Sequence, residues 1–132
     1  MNYDIPVLNL KDQVSDAEWQ TRIELAAAYR LMVMHQWDDL IHTHISARIP
    51  GTEDVLINAF GLAFEEVTAS NLVKIDIHGN IIQPNCPFEI NPAGFTIHSA
   101  VHICSTRGSV LFALTQCRCH CCFEQPSRLK AL

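Results

Sequence analysis

No run of basic residues occurs anywhere in the chain, and its formal charge is −5. Neutralising a phosphate backbone takes clustered Lys and Arg, so nucleic-acid binding is excluded. Nor does any apolar run approach the ~18 residues that a membrane span needs. The opening MNYDIPVLNLKDQ lacks both the cationic patch and the apolar stretch of a secretory leader. The expected location is therefore the cytoplasm, with neither a membrane nor a nucleic acid as partner. Internal repeats are absent too, and 132 residues leave room for one domain with one core of moderate size. A hydrophobic share of 48% against 17% charged residues describes a folded, globular chain.

What is present is patterned around Ile41 to Gly61, IHTHISARIPGTEDVLINAFG. Two strand-like runs, His44 to Ile49 and Val55 to Phe60, flank a Pro50-Gly51 turn, which is hairpin punctuation. In the first run Thr43, Ile45 and Ala47 share one face, and His44, Ser46 and Arg48 share the other. The polar row has two readings, a solvated sheet face or a cradle for an anionic or carbonyl-bearing ligand facing the loop at Gly61.

Upstream, residues 1–14 read as an extended arm in which Pro6 excludes a helix. Ser15-Asp16-Ala17-Glu18 has the form of a capping box and predicts a helix to about His35. Trp19, Ile23, Ala26, Ala27, Leu31 and Met34 recur at three- and four-residue steps and are its expected apolar positions. Downstream, Glu65-Glu66 with Thr68 and Ser70 predicts a short helical turn or loop. Leu72 to Ile77 alternates as a half-buried strand, His78-Gly79-Asn80 turns, and Ile81 to Gln83 returns as its partner. A second helix is expected from about Asn91 or Pro92 through His102. Gly108 to Leu114 is apolar without clear periodicity. Hairpins between helices imply an antiparallel sheet with helices packed on it.

The motifs QWDDLIHTHISARIPG, VLINAFGLAFEEVTASNLVKIDIHGNI and INPAGFTIHSAVH together resemble the opening part of the class II aldolase/adducin domain. The resemblance runs from about Trp19 to His102, and its Ala-Gly-Phe variant is similar to the adducin-like branch. It implies an α/β fold, three layers α/β/α around a mainly antiparallel sheet. It also implies a divalent metal, usually zinc, held by three histidines, two of them as His-x-His on the strand after the second helix. The metal polarises a carbonyl in carbon–carbon cleavage. By the same resemblance Ser46 and Gly61 are the positions carried over for binding the substrate's phosphate or carboxylate end. A carboxylate that serves as acid/base in the aldolases corresponds here to Gly94, which cannot transfer a proton.

The chain then departs from that pattern. After His102 it reads ICSTRGSVLFALTQCRCHCC, with no His-x-His. His120 stands alone there, and one imidazole cannot hold a zinc that needs three protein ligands; His42-x-His44 has strand spacing for two ligands but falls in the substrate-end motif. Four of the six cysteines fall in Cys117 to Cys122. Cys119-x-x-Cys122 has knuckle spacing without a second pair, and a redox motif lacks its strand-to-helix context. A shifted reading frame or alternative end after Arg107 accounts better for this run. The expected division is an arm (1–14), a partial class II aldolase/adducin domain (15–107) and a divergent Cys-rich tail (108–132). The expected function is a truncated, catalytically inactive form of a metal-dependent aldolase-type lyase, with no cofactor, no catalytic residue and no metal ligand in this chain. The alternative is a non-catalytic, adducin-like oligomerisation module with a cytoskeletal, actin-binding partner. The resemblance further implies a homo-oligomer and a small carbonyl, phosphorylated or acid substrate. A sheet without its later strands is expected to leave an open edge and an uncovered apolar face.

Overall fold

The computed structural model describes residues 8–38, 43–104 and 110–113. In chain order the elements are α1 (Asp16–Met34), β1 (His44–Arg48), β2 (Val55–Ile57), a 3₁₀ turn (Phe64–Glu66), β3 (Val73–Ile75), α2 (Pro92–Cys104) and β4 (Val110–Ala113). The four strands form one sheet in the order β3-β2-β1-β4, every pairing antiparallel. Ser46 faces Ile57 on one side and Leu111 on the other, so β1 is an inner strand. The resulting α/β arrangement has three layers, with α1 against one face of the sheet and α2 against the other.

Burial follows that layering. Leu25, Tyr29 and Met32 of α1 pack with Ile45, Ala47, Leu56, Phe64 and Leu72 in one cluster. On the opposite face Val55, Ile57, Ala59, Val73 and Ile75 form a second cluster, joined by the partly buried Phe95 of α2. Strand alternation explains the split: Leu56 points to α1, and its neighbours Val55 and Ile57 point to α2. Both faces of the sheet are covered, against the expectation of an uncovered one. Apolar exposure lies instead on the outer sides of the helices, at Leu31, Met34, Ile97 and Ile103, and in the connections at Trp37, Phe60, Ile81 and Ile82.

The first helix starts as its sequence predicts, with the Ser15 hydroxyl accepting from the Glu18 N–H at 3.2 Å. Its buried face, however, is Glu18, Thr21, Arg22, Leu25, Tyr29 and Met32. Ile23, Leu31 and Met34, expected in the core, are exposed. Pattern reading fails here because this seam carries its polar groups inside. Arg22, fully buried, donates to Glu18, to the carbonyls of Ala69 and Leu72, and to Gln83. The second Glu18 oxygen takes Lys74 at 2.9 Å, and Lys74 also reaches Asp54 at 3.1 Å. The Glu18 carboxylate therefore turns inward, and the reciprocal half of the capping box does not form.

The expected strands shorten. β2 stops at Ile57 because the chain beyond it bonds elsewhere: the Phe60 N–H donates to the Glu89 carbonyl at 2.8 Å. At Leu72 to Ile77 only Val73–Ile75 is strand, with Val73 and Ile75 buried on one face and Lys74 partly exposed on the other, as the alternation predicts. Ile81 to Gln83, expected as a partner strand, contributes an isolated bridge from Ile81 to Ile75. β4 comes from the stretch that showed no periodicity, consistent with a strand beside another strand and beneath a helix. Most of the N-terminal arm, His42 and the Cys-rich run from Cys117 lie outside the described residues.

The Tyr29 hydroxyl joins the layers. It accepts from the Ile45 N–H at 3.0 Å, and its one proton faces the Ile45 carbonyl at 2.5 Å and Asn58 Oδ1 at 2.9 Å. Burial pushes its ionisation well above the ordinary tyrosine value. Tyr29→Phe keeps the ring and strips these groups of their partner, leaving buried polar atoms unpaired. The expected loss is about 1–3 kcal/mol of unfolding free energy with an unchanged denaturant slope, read from urea titrations.

Candidate functional site

The polar row of β1 lies beneath α2. That helix begins with Pro92, whose missing N–H costs nothing in the first turn, and with Asn91, whose side-chain oxygen accepts from the Ala93 N–H at 3.0 Å. His98 and His102, one turn apart, then face the sheet together. Ser46 Oγ lies 2.5 Å from His98 Nδ1 and 2.9 Å from His102 Nε2. A hydroxyl has one proton, so it donates to one imidazole and accepts from the other. Ser46, His98 and His102 are all buried. Of the two readings of this row, the solvated sheet face is therefore wrong, because α2 seals it.

Two further groups close the cluster. The Arg48 guanidinium donates to the His102 carbonyl at the end of α2. The ring of His44 meets that of His98 edge to face, with centroids 6.1 Å apart. Among the described residues, His98 Nε2 and Arg48 Nε have no hydrogen-bond partner. Burial, then the proximity of His44 and His102, lowers the His98 imidazole to about 4. Burial, then Arg48, lowers that of His102. Both rings are neutral near pH 7, which suits them to hydrogen bonding and not to ion pairing.

The carried-over positions are distributed as follows. Ser46 lies at the polar end of a shallow cleft between α2 and the sheet, whose apolar walls include Ile57, Ile75 and Phe95. Gly61 is not among the residues lining that cleft. It sits in the exposed turn after β2 at φ 88°, a left-handed conformation that favours glycine. Gly94 is buried in the first turn of α2 against His44. A Cβ placed on it would lie 2.9 Å from His44 Cε1 and Nδ1, closer than carbon atoms approach.

A metal centre does not fit these residues. Among those described, no group of three or more His, Cys, Asp or Glu side chains converges as ligands. His98 Nδ1 and His102 Nε2, the nitrogens nearest one another's partner, are both spent on the Ser46 hydroxyl. His42-x-His44 and the cluster of Cys117 to Cys122 fall wholly or partly outside the described residues. Also among those described, no helix is long and apolar enough to cross a membrane.

Sequence reasoning placed His98 and His102 on a helix but did not pair them with Ser46. The available signal was two histidines at i, i+4 together with a strand alternating His, Ser and Arg. It missed Arg22 and Tyr29 entirely, since a buried Arg inside a helix has no sequence signature apart from its distant partners.

Comparison with known proteins bears on what this site belongs to. The profile of the class II aldolase and adducin N-terminal domain matches residues 23–128. The chain is 65% identical over 94 residues to a Pseudomonas aeruginosa protein named "putative aldolase class 2 protein", covering 71% of this chain and 36% of that one. To gamma-adducin of Homo sapiens it is 39% identical over 109 residues, 81% of this chain and 15% of the adducin. A solved aldolase II superfamily protein from Pseudomonas syringae superposes with a TM-score of 0.74 at 51% identity, covering 78% of this chain and 41% of the other. The chain thus spans well under half the length of each of these relatives. With the motifs, the three layers and the profile in agreement, it belongs to the class II aldolase and adducin family.

Proposed function

We propose that this 132-residue chain is a catalytically inactive member of the family, retaining the aldolase-type scaffold without its carbon–carbon lyase chemistry. The observation that carries this reading is Gly94. The aldolases use a carboxylate at the matching position, and here the space beside the backbone is filled by the His44 ring. A side chain at 94 thus requires the His44 ring to shift, so any substitution that reinstates a proton donor there has to displace it. The division into arm (1–14), family portion (15–107) and divergent tail (108–132) is part of the proposal, although β4 is drawn from the start of that tail. So are a cytoplasmic location, assembly as a homo-oligomer, and zinc or another divalent metal as a property of family members with the full ligand set. On the family resemblance Ser46 and Gly61 are the positions proposed for the substrate's anionic end, a small carbonyl, phosphorylated or acid compound; access to Ser46, buried beneath α2, requires that helix to move aside.

A second reading, an adducin-like assembly module with a cytoskeletal partner, is supported by the similarity to gamma-adducin. Co-sedimentation with actin filaments distinguishes it, since a catalytic remnant stays in the supernatant.

Two measurements test the main reading. Equilibrium dialysis against zinc, paired with a retro-aldol screen over phosphorylated and acidic hydroxy-carbonyl compounds, is expected to give substoichiometric metal and no turnover. Stoichiometric tight zinc with turnover overturns it. The packing claim is checked by a double-mutant cycle. Gly94→Ala is expected to destabilise by about 1–3 kcal/mol through overpacking, outweighing the ~1 kcal/mol of helix propensity that it gains. In a His44→Ala background most of that loss is expected to vanish, leaving a coupling of at least about 0.5 kcal/mol.

A further inference from the structure

The two helices are held to the sheet by different chemistry. α1 uses an apolar seam and the Glu18–Arg22–Lys74–Asp54 ion network, in which no imidazole takes part. α2 rests on the second, smaller apolar cluster and on His98 and His102 against Ser46. Among the described residues, the groups facing those two rings are the following. β1 contributes His44 and Arg48, β2 and β3 contribute Val55, Ile57 and Ile75, and α2 itself adds Phe95 and Ser99. The residues of β4, Val110–Ala113, include no ionisable type. No carboxylate faces the cluster among the described residues, so each proton added there meets only other cations or apolar walls.

From this geometry we infer that α2 is an acid-released latch: as the pH falls, it leaves the sheet while α1 and the opposite face of the sheet stay folded. Protonation converts the ring nitrogen that accepts from Ser46 into a donor, so the hydroxyl can no longer serve both histidines. The new charge lies buried beside Arg48 and His44, and among the described residues no carboxylate compensates it. Departure of α2 hydrates the rings and uncovers Val55, Ile57 and Ile75 where they line the cleft beneath it, an apolar surface on an otherwise folded body. The direction follows from linkage. A histidine held at about 4 in the folded chain takes up its proton in the released state from the ordinary value of 6.5 downward. Its contribution is therefore complete above 6.5, declines as the pH falls, and is gone below about 4.

Hydrogen exchange of the full chain, read by mass spectrometry and corrected for the intrinsic pH dependence of amide exchange, tests the inference. Between pH 6.5 and pH 4 the opening of residues 92–104 is expected to rise on the order of a hundredfold, one factor of ten for each pKa unit of the shift. Residues 16–34 are expected to change by less than about threefold in the same window, with ordinary local opening unaffected. In the His98→Gln/His102→Gln double variant the step in 92–104 is expected to disappear. Loss of protection in both helices together, or a step that survives in the double variant, overturns the inference. Should that variant not fold, proton-detected titration of the wild-type imidazoles decides: His98 titrating near 6.5 with α2 still protected overturns it, and titration concurrent with release supports it.

Discussion

Strand β1 lies between two helices, and every polar group on it must find its partner inside the protein. A buried hydroxyl or amide without a partner costs on the order of 1–3 kcal/mol, a sizeable part of a small domain's stability. That single constraint dictates much of what surrounds the strand. The Ile45 backbone needs the Tyr29 hydroxyl on one side of the chain. Ser46 needs acceptors and donors from α2 and receives two imidazoles. Arg48 turns to the end of α2 and takes the His102 carbonyl. An all-apolar helix over this strand would leave the Ser46 hydroxyl stranded, which is why the helix placed there carries histidines on its inner face.

The two faces of the sheet differ in how they meet that demand. On the α1 side the polar groups are charged and mutually compensating, with Arg22 making four hydrogen bonds and Lys74 bridging two carboxylates. Removing one member of such a set leaves an uncompensated buried charge, about 3–5 kcal/mol against the fold. On the α2 side the partners are neutral, and a neutral hydrogen bond nets about 0.5–1.5 kcal/mol. The apolar contribution is also smaller there, since several members of the second cluster are only partly buried. One sheet therefore carries a firmly bound helix and a conditionally bound one.

Much of this architecture was legible in the residues. Ser15 announced the start of α1, Pro50-Gly51 the first hairpin, and Asn91-Pro92 the start of α2, because each acts through local backbone chemistry that needs no distant partner. The motifs around His44 to Arg48 and Asn91 to His98 carried the family. What failed did so for one physical reason. The inward face of α1 is set by Glu18 and Arg22, whose partners are far along the chain at Lys74, Leu72 and Gln83. Hydrophobic periodicity assigns such residues to solvent and promotes Ile23, Leu31 and Met34 in their place. The polar row of β1 was misjudged as open for the same reason, since its cover is supplied more than fifty positions later. β4 was invisible because Val110–Ala113 is apolar at every position and so shows no alternation.

Gly94 joins the fold to the chemistry. A catalytic carboxylate at the start of α2 requires a side chain where the helix passes over β1, and therefore a small residue or a gap beneath it. In this chain the bulk at that contact lies on the strand as His44, with nothing on the helix. The exchange preserves the packing of α2 and lets Phe95 and His98 reach their places. It also forfeits the proton donor, because backbone atoms at 94 have nothing to give. On the proposed reading, loss of activity and retention of fold are two consequences of one steric choice beside His44.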